Sequence, residues 1–130
     1  MSYIKHKSEE SVQDYLEAIL VLGKRKTDIR SIDIANELSY SKPSVSVAMK
    51  NLKSRNYISI SEEGFIRLTE DGKKIAEDVY ERHSILSSWL INLGVTPEIA
   101  LEDACKMEHD ISSESFEAIK KYLSENSINN

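Results

Sequence analysis

Six side chains of metal-ligand type recur at helical spacing. Asp14 and Glu17 are three residues apart, so a helix would carry both carboxylates on one face. Cys105, Glu108 and His109 occupy positions i, i+3 and i+4 of a later stretch. His83 lies between the two clusters, four residues after Val79 and three before Leu86, on an apolar stripe. Ligands at these spacings converge because their side chains stack over one helical face. Hard oxygen, imidazole and soft thiolate together suit Mn(II), Fe(II), Co(II), Ni(II) or Zn(II), and not calcium or magnesium.

Each pattern also has a plainer account. Asp14 and Glu17 match an ordinary solvated helix face, and a lone histidine on an apolar stripe matches a hydrogen-bonded core residue. Cys105 alone matches a small buried hydrophobe. The triplet is harder to explain that way. Leu101, Ala104, Cys105 and Glu108 form one stripe, so burying it places a carboxylate beside a thiol. A bare buried carboxylate is costly unless it is paired, and a divalent cation is a suitable pair.

Helices must hold these groups. Val12, Tyr15, Leu16, Ile19 and Leu20 predict a helix over 8–22, with Ser8 as its cap and Glu9 and Glu10 in its first turn. Ser31 is the expected cap of a short helix over 32–38, with Asp33 in its first turn and Ile34, Ala35 and Leu38 buried. A break at Ser39-Tyr40 leads to Ser41, the cap of a second short helix over 42–55 with Pro43 in its first turn. Val45, Ala48, Met49 and Leu52 form its inner stripe. Two such helices read as a helix-turn-helix. The period then changes to two: Ile58 and Ile60, then Ile66 and Leu68, flank a Glu62-Glu63-Gly64 turn. A helix-turn-helix followed by a hairpin is a winged helix.

Thr69 is the expected cap of a long helix to about residue 93, with Ile75, Ala76, Val79, His83, Leu86, Leu90 and Leu93 on its stripe, Trp89 at a margin and Gly94 as its stop. Thr96-Pro97 opens another helix to about residue 112, and a last one covers 113–123 with Phe116, Ile119 and Leu123. The polar stretch 124–130 is expected to fray. The expected fold is mainly α. An N-terminal winged helix-turn-helix with a small β-hairpin wing covers 1–70, and a helical domain covers 71–130. Three helices are too few to bury their own stripes, which points to a homodimer.

Composition narrows the classes. The chain has 130 residues, 40% hydrophobic and 30% charged, with four glycines and two prolines, so a packed globular domain fits and low-complexity or collagen-like classes do not. One cysteine makes no internal disulfide and suggests a reducing compartment. The charged start suggests no signal peptide, and no apolar run reaches membrane-helix length, so a cytoplasmic protein is expected. The net charge of −5 is uneven. Residues 24–55 hold eight Lys/Arg (Lys24, Arg25, Lys26, Arg30, Lys42, Lys50, Lys53 and Arg55) against three Asp/Glu. Such a stretch suits nucleic acid, and equally an ordinary solvated surface.

The chain resembles the diphtheria toxin repressor family, in its short manganese transport regulator branch. The stretches that carry the resemblance are Gln13-Asp14-Tyr15-Leu16-Glu17, Ser41-Lys42-Pro43-Ser44-Val45-Ser46, Tyr80-Glu81-Arg82-His83 and Glu102-Asp103-Ala104-Cys105-Lys106-Met107-Glu108-His109. The resemblance implies that Asp14, Glu17, His83, Cys105, Glu108 and His109 are regulatory metal ligands. It implies a hybrid site, because Asp at position 14 is typical of the manganese branch and Cys at position 105 of the iron branch. It implies that Ser41, Pro43, Ser44 and Ser46 face DNA. Beside them Lys42, Lys50, Lys53 and Arg30 are the expected phosphate contacts.

The expected function is a metal-dependent DNA-binding repressor controlling metal-ion homeostasis, with no enzymatic activity. Its cofactor is a divalent transition metal, Mn(II) or Fe(II), which Co, Ni or Zn can replace. Its partners are a palindromic double-stranded DNA operator and a second copy of the chain. Metal is expected to order the first helix against the C-terminal domain and so set the spacing of the two recognition helices. The alternatives are a metal-independent winged-helix regulator and a thiol redox sensor acting through Cys105. A metal-dependent hydrolase fits poorly, because no separate base or Gly-rich loop is visible.

Overall fold

The computed structural model describes residues 2–126, as two compact units that part between Asp78 and Val79. The first unit contains α1 (Ser2–Gly23), α2 (Ser31–Leu38), α3 (Lys42–Ser54), β1 (Ile58–Ile60) and β2 (Ile66–Leu68). α4 (Glu70–Asn92) begins in that unit and continues into the second, which adds α5 (Pro97–Asp110) and α6 (Ser113–Asn126). The winged helix-turn-helix and the C-terminal helices are therefore both present. Residues 127–130, most of the stretch expected to fray, lie outside the described residues.

The first unit packs around Leu16, Ile19, Ile34, Val45, Met49, Leu52, Ile58 and Ile66, all buried. These are the inward positions of three helices and two strands, which is why the helical period and the alternating period fit one core. β1 and β2 pair antiparallel with Ile58 opposite Leu68 and Ile60 opposite Ile66. Ile66 also donates its N–H to the Ile29 carbonyl at 2.8 Å, which ties the loop before α2 to the wing.

Two helix starts differ from the sequence expectation, and a third is as expected but lacks its side-chain bond. α1 begins at Ser2, so Ser8 is inside the helix and not its cap. α2 is capped at Arg30, with Ser31 as its first helical residue. There the Asp33 carboxylate accepts the Arg30 backbone N–H at 2.8 Å, closing the first turn from the inside. Thr96 is the N-cap of α5, yet its side chain makes no capping hydrogen bond. The other caps are as expected. Ser41 accepts the Ser44 N–H at 3.3 Å, and Thr69 accepts the Gly72 N–H at 3.1 Å.

The units part eight residues later than a boundary at residue 70, because the start of α4 belongs to the first core. Ala76 is buried there, with Ile75 packed beside it. The Thr69 hydroxyl donates to the Asn56 carbonyl at 2.8 Å, and the Thr69 N–H donates to the Tyr57 carbonyl at 3.0 Å. Gly72 faces the same carbonyl so closely that a methyl group at its Cα would overlap it.

The second unit packs around Leu86, Ala104 and Phe116, with Ile85, Trp89, Met107, Ile111 and Ile119 partly buried against them. Gly94 ends α4 in a left-handed turn with φ 106°, where the Val95 N–H reaches back to the Leu90 carbonyl at 3.0 Å. Leu101, expected on the inner stripe of α5, is 50% exposed. Leu93, Ile91, Ile99 and Tyr122 are exposed too. The unit leaves apolar surface uncovered, as three short stripes must.

Two outcomes follow from these contacts. Gly72→Ala should lower stability by about 1–3 kcal/mol in urea unfolding, because the backbone of Tyr57 must move. The Arg30 N–H, then Lys26, holds the Asp33 carboxyl below its ordinary value of 3.8. Its contribution is therefore present above that value and lost as pH falls through the folded-state value. Asp33→Asn should cost about 1 kcal/mol at pH 7, and unfolding curves of the two proteins should converge in strong acid.

Candidate metal centre and nucleic-acid interface

α5 brings three candidate ligands to one face. Glu108 is 3% exposed although it is a carboxylate, and Cys105 and His109 are only partly accessible. One ligand atom from each of Cys105, Glu108 and His109 lies within 4.8 Å of the others. The His109 Nε2 is 3.5 Å from the Glu108 Oε1, and both side chains are almost fully enclosed. His83 comes from α4, and its imidazole lies within the same 4.8 Å of the Glu108 carboxylate.

The position of Glu108 is set by α4 through Arg82. The Arg82 Nη1 donates to the Glu108 backbone carbonyl at 3.1 Å and reaches the Ile111 carbonyl at 3.5 Å. Its Nη2 donates to the Ser113 Oγ at 3.0 Å, and the guanidinium lies 5.1 Å from the centre of the Phe116 ring. Arg82 thus holds the end of α5 and the start of α6 next to the residue that follows it, His83. Sequence reasoning passed over Arg82. Its one signal was its place beside His83 in a stretch already marked as informative.

The donor set fits a first-row transition cation. A buried carboxylate, two imidazoles and a thiol supply hard, borderline and soft atoms, and burial of the carboxylate favours a cationic companion. Asp14 and Glu17 belong to the first unit, half-buried and three residues apart on α1. Within the second unit Glu108 belongs to two groupings, one with Cys105 and His109 and one with His83.

The expected DNA-facing residues of α3 share its outer surface. Ser41, Lys42, Pro43, Ser44, Ser46, Lys50 and Lys53 are all exposed, while Val45, Met49 and Leu52 face the core. Ser41 donates its hydroxyl to the Ser44 Oγ at 2.8 Å, so these two polar groups begin as a pair. Val47, not singled out from sequence, is 69% exposed on this surface. It lies four residues after Pro43 and off the inner stripe, which is the signal that could have found it.

The basic stretch is less open than its residue count suggests. Arg25 pairs with Glu37 at 2.8 Å and Lys26 with Asp33 at 2.9 Å. Arg30 is committed to the wing. Its Nη1 donates to the Glu63 carbonyl at 2.8 Å, and its guanidinium lies 4.5 Å from the centre of the Phe65 ring. It supports the hairpin turn whatever else it touches. The wing tip itself carries Glu62 and Glu63, both exposed.

Comparison with known proteins covers both units. Residues 8–64 match the model of the iron dependent repressor N-terminal DNA binding domain. Residues 69–129 match the iron dependent repressor metal binding and dimerisation domain. The chain is 36% identical over 113 residues to the transcriptional regulator MntR of Escherichia coli O6:H1, covering 87% of this chain and 73% of that protein. It is 38% identical over 109 residues to the MntR of Salmonella typhimurium, covering 84% and 69%. Among solved structures, the manganese regulator SloR aligns with a TM-score of 0.78 at 30% identity over 87% of this chain. The chain spans 53% of the length of that structure.

The donor set predicts a specific spectrum. Metal-free protein titrated with Co(II) should develop a thiolate-to-cobalt charge-transfer band. Cys105→Ser should bind Co(II) without that band. Co(II) binding to the wild type without that band would place the thiol outside the coordination sphere.

Proposed function

This chain belongs to the iron-dependent repressor family, and from that premise we propose that it is a metal-dependent repressor of genes for metal-ion homeostasis. It binds a palindromic DNA operator as a homodimer, in the cytoplasm, as a regulator without catalytic activity. Its cofactor is Mn(II) or Fe(II). The observation that carries the reading is the buried Glu108 carboxylate grouped with Cys105, His109 and His83 inside the segment that matches a metal-binding and dimerisation domain.

Glu108, His109, Cys105 and His83 are the proposed ligands of the second unit, and Asp14 and Glu17 those supplied by α1. When bound, the cation supplies positive charge and directional bonds that offset the buried carboxylate. Arg82 holds the backbone carbonyl of Glu108 and so keeps the carboxylate aimed. The Cys105 thiolate favours Fe(II) or a later metal, and the Asp14 carboxylate favours a harder one.

On the DNA side, Ser44 and Ser46 are small enough to approach base edges, and Pro43 offers an apolar surface to a thymine methyl. Lys42, Lys50 and Lys53 contact phosphates, which position the helix without reading sequence. Arg30 keeps the hairpin in place against the loop before α2. Asp14 and Glu17 share a unit with α3, so a metal held there links metal affinity to DNA affinity, and that linkage is reciprocal. Exposed Leu93, Ile91, Ile99 and Leu101 are the apolar groups that a second copy covers.

The test is a duplex selected from a random pool by Mn(II)-loaded protein. Stripping the metal with a chelator should weaken binding to it by about 5–150-fold. Glu108→Gln should behave like stripped protein at Mn(II) levels that activate the wild type. Binding that ignores both the chelator and the substitution would leave a metal-independent regulator.

A further inference from the structure

The first unit carries both α1 and the DNA-facing α3, and an aromatic pair joins α1 to the turn that leads into α3. Tyr15 follows Asp14 on α1 and is 8% exposed. Its ring meets that of Tyr40 edge-on, with centroids 5.7 Å apart and planes at 73°. Tyr40 lies in the turn between α2 and α3. That turn is narrow: Ser39 is left-handed at φ 58°, and the Tyr40 N–H donates to the Ala35 carbonyl at 3.0 Å. The next residue, Ser41, is the N-cap of α3. Tyr40 is thus one residue from the cap of the DNA-facing helix and in ring contact with the neighbour of a proposed metal ligand.

The surroundings make this contact consequential. Beyond it, Val12 and Tyr15 of α1 and Ser44, Val47 and Ala48 of α3 line an open groove of about 350 Å³. Side chains lining a groove pack less closely there, so a ring contact made by one of them, Tyr15, adds to what the shared core does to set one helix against the other. Edge-to-face aromatic pairs also have a preferred geometry, unlike a contact between two aliphatic groups. At 44% exposure Tyr40 is not itself a core residue, so its removal takes no member from the buried cluster, which includes Tyr15.

We propose that Tyr40 is a positioning residue: through its ring contact with Tyr15 it makes the N-terminal end of α3 follow α1, and so couples metal occupancy to DNA binding. The inference rests on the metal-dependent reading above. Tyr40 itself holds no ligand. It acts through Tyr15, and what it contributes is a share of the coupling between two sites.

The experiment compares wild type, Tyr40→Ala and Tyr40→Phe, using Mn(II) and the selected duplex. Three quantities are read: Mn(II) affinity without DNA, duplex affinity with and without Mn(II), and amide hydrogen exchange over 39–46 before and after Mn(II). Tyr40→Ala should keep metal-free duplex affinity within about twofold, while the Mn(II)-dependent gain falls by about fivefold or more. Mn(II) should slow exchange over 39–46 in the wild type and not in Tyr40→Ala. Tyr40→Phe, which keeps the ring, should behave as wild type. An equal loss of duplex affinity with and without Mn(II) would make Tyr40 an ordinary DNA contact and overturn the proposal. So would an unchanged gain in Tyr40→Ala. If the wild type shows no gain with Mn(II), the metal-dependent reading itself falls, and the coupling with it.

Discussion

A carboxylate enclosed at the end of a helix is the constraint on which the functional unit depends. Glu108 is buried two residues before the end of α5, where the last carbonyls already concentrate negative potential. Burial there needs positive charge and fixed geometry. Arg82 supplies both to the backbone, through the carbonyls of Glu108 and Ile111. The imidazoles of His83 and His109 and the thiol of Cys105 surround the carboxylate with further donors. A carboxylate buried in such company is less costly when a cation accompanies it.

The DNA-binding unit meets a different demand, which is to keep a short helix rigid on a small core. Val45, Met49 and Leu52 anchor α3 from below, and Ser41 closes its first turn. The hairpin is short, and much of its support comes from outside the strand pair. Ile29 bonds to Ile66, and Arg30 bonds to Glu63 and stacks on Phe65. Charges near α2 serve the fold as well. The pairs Arg25 with Glu37 and Lys26 with Asp33 spend cations that a residue count assigns to DNA. At these exposures each pair adds little stability, yet each lowers the free positive charge on that side. The outer surface of α3, with Lys42, Lys50 and Lys53, is left as the basic face.

The second unit carries too little apolar surface inside and too much outside to be complete alone. Its buried centre is Leu86, Ala104 and Phe116, and large apolar residues of α4 and α5 remain exposed around it. A homodimer is the reading that uses this surface, and a two-fold dimer also presents two copies of α3 to a palindromic site. The unit boundary after Asp78 reflects the same economy. The first turns of α4 complete the winged-helix core through Ala76 and the Gly72 approach to Tyr57, and the later turns carry His83 and Arg82.

Much of this was legible in the sequence. The 3.6-residue and two-residue periods marked out the helices and both strands, because burial on one face imposes those periods whatever the partner. Cys105, Glu108 and His109 could be grouped because helical spacing alone brings them together. Local signals were weaker where several residues qualify for one job. Ser31 has the side chain of a cap, yet Arg30 takes the position because Asp33 closes the turn from within. Leu101 shares the spacing of a buried stripe, yet lies beyond the reach of the three-helix core and is exposed. Only tertiary structure decided that His83 meets Glu108, that Arg82 holds the end of α5, that Arg30 serves the wing and that Tyr15 meets Tyr40. Each of those contacts joins residues well separated in sequence, and no periodicity records which distant segment a side chain will face.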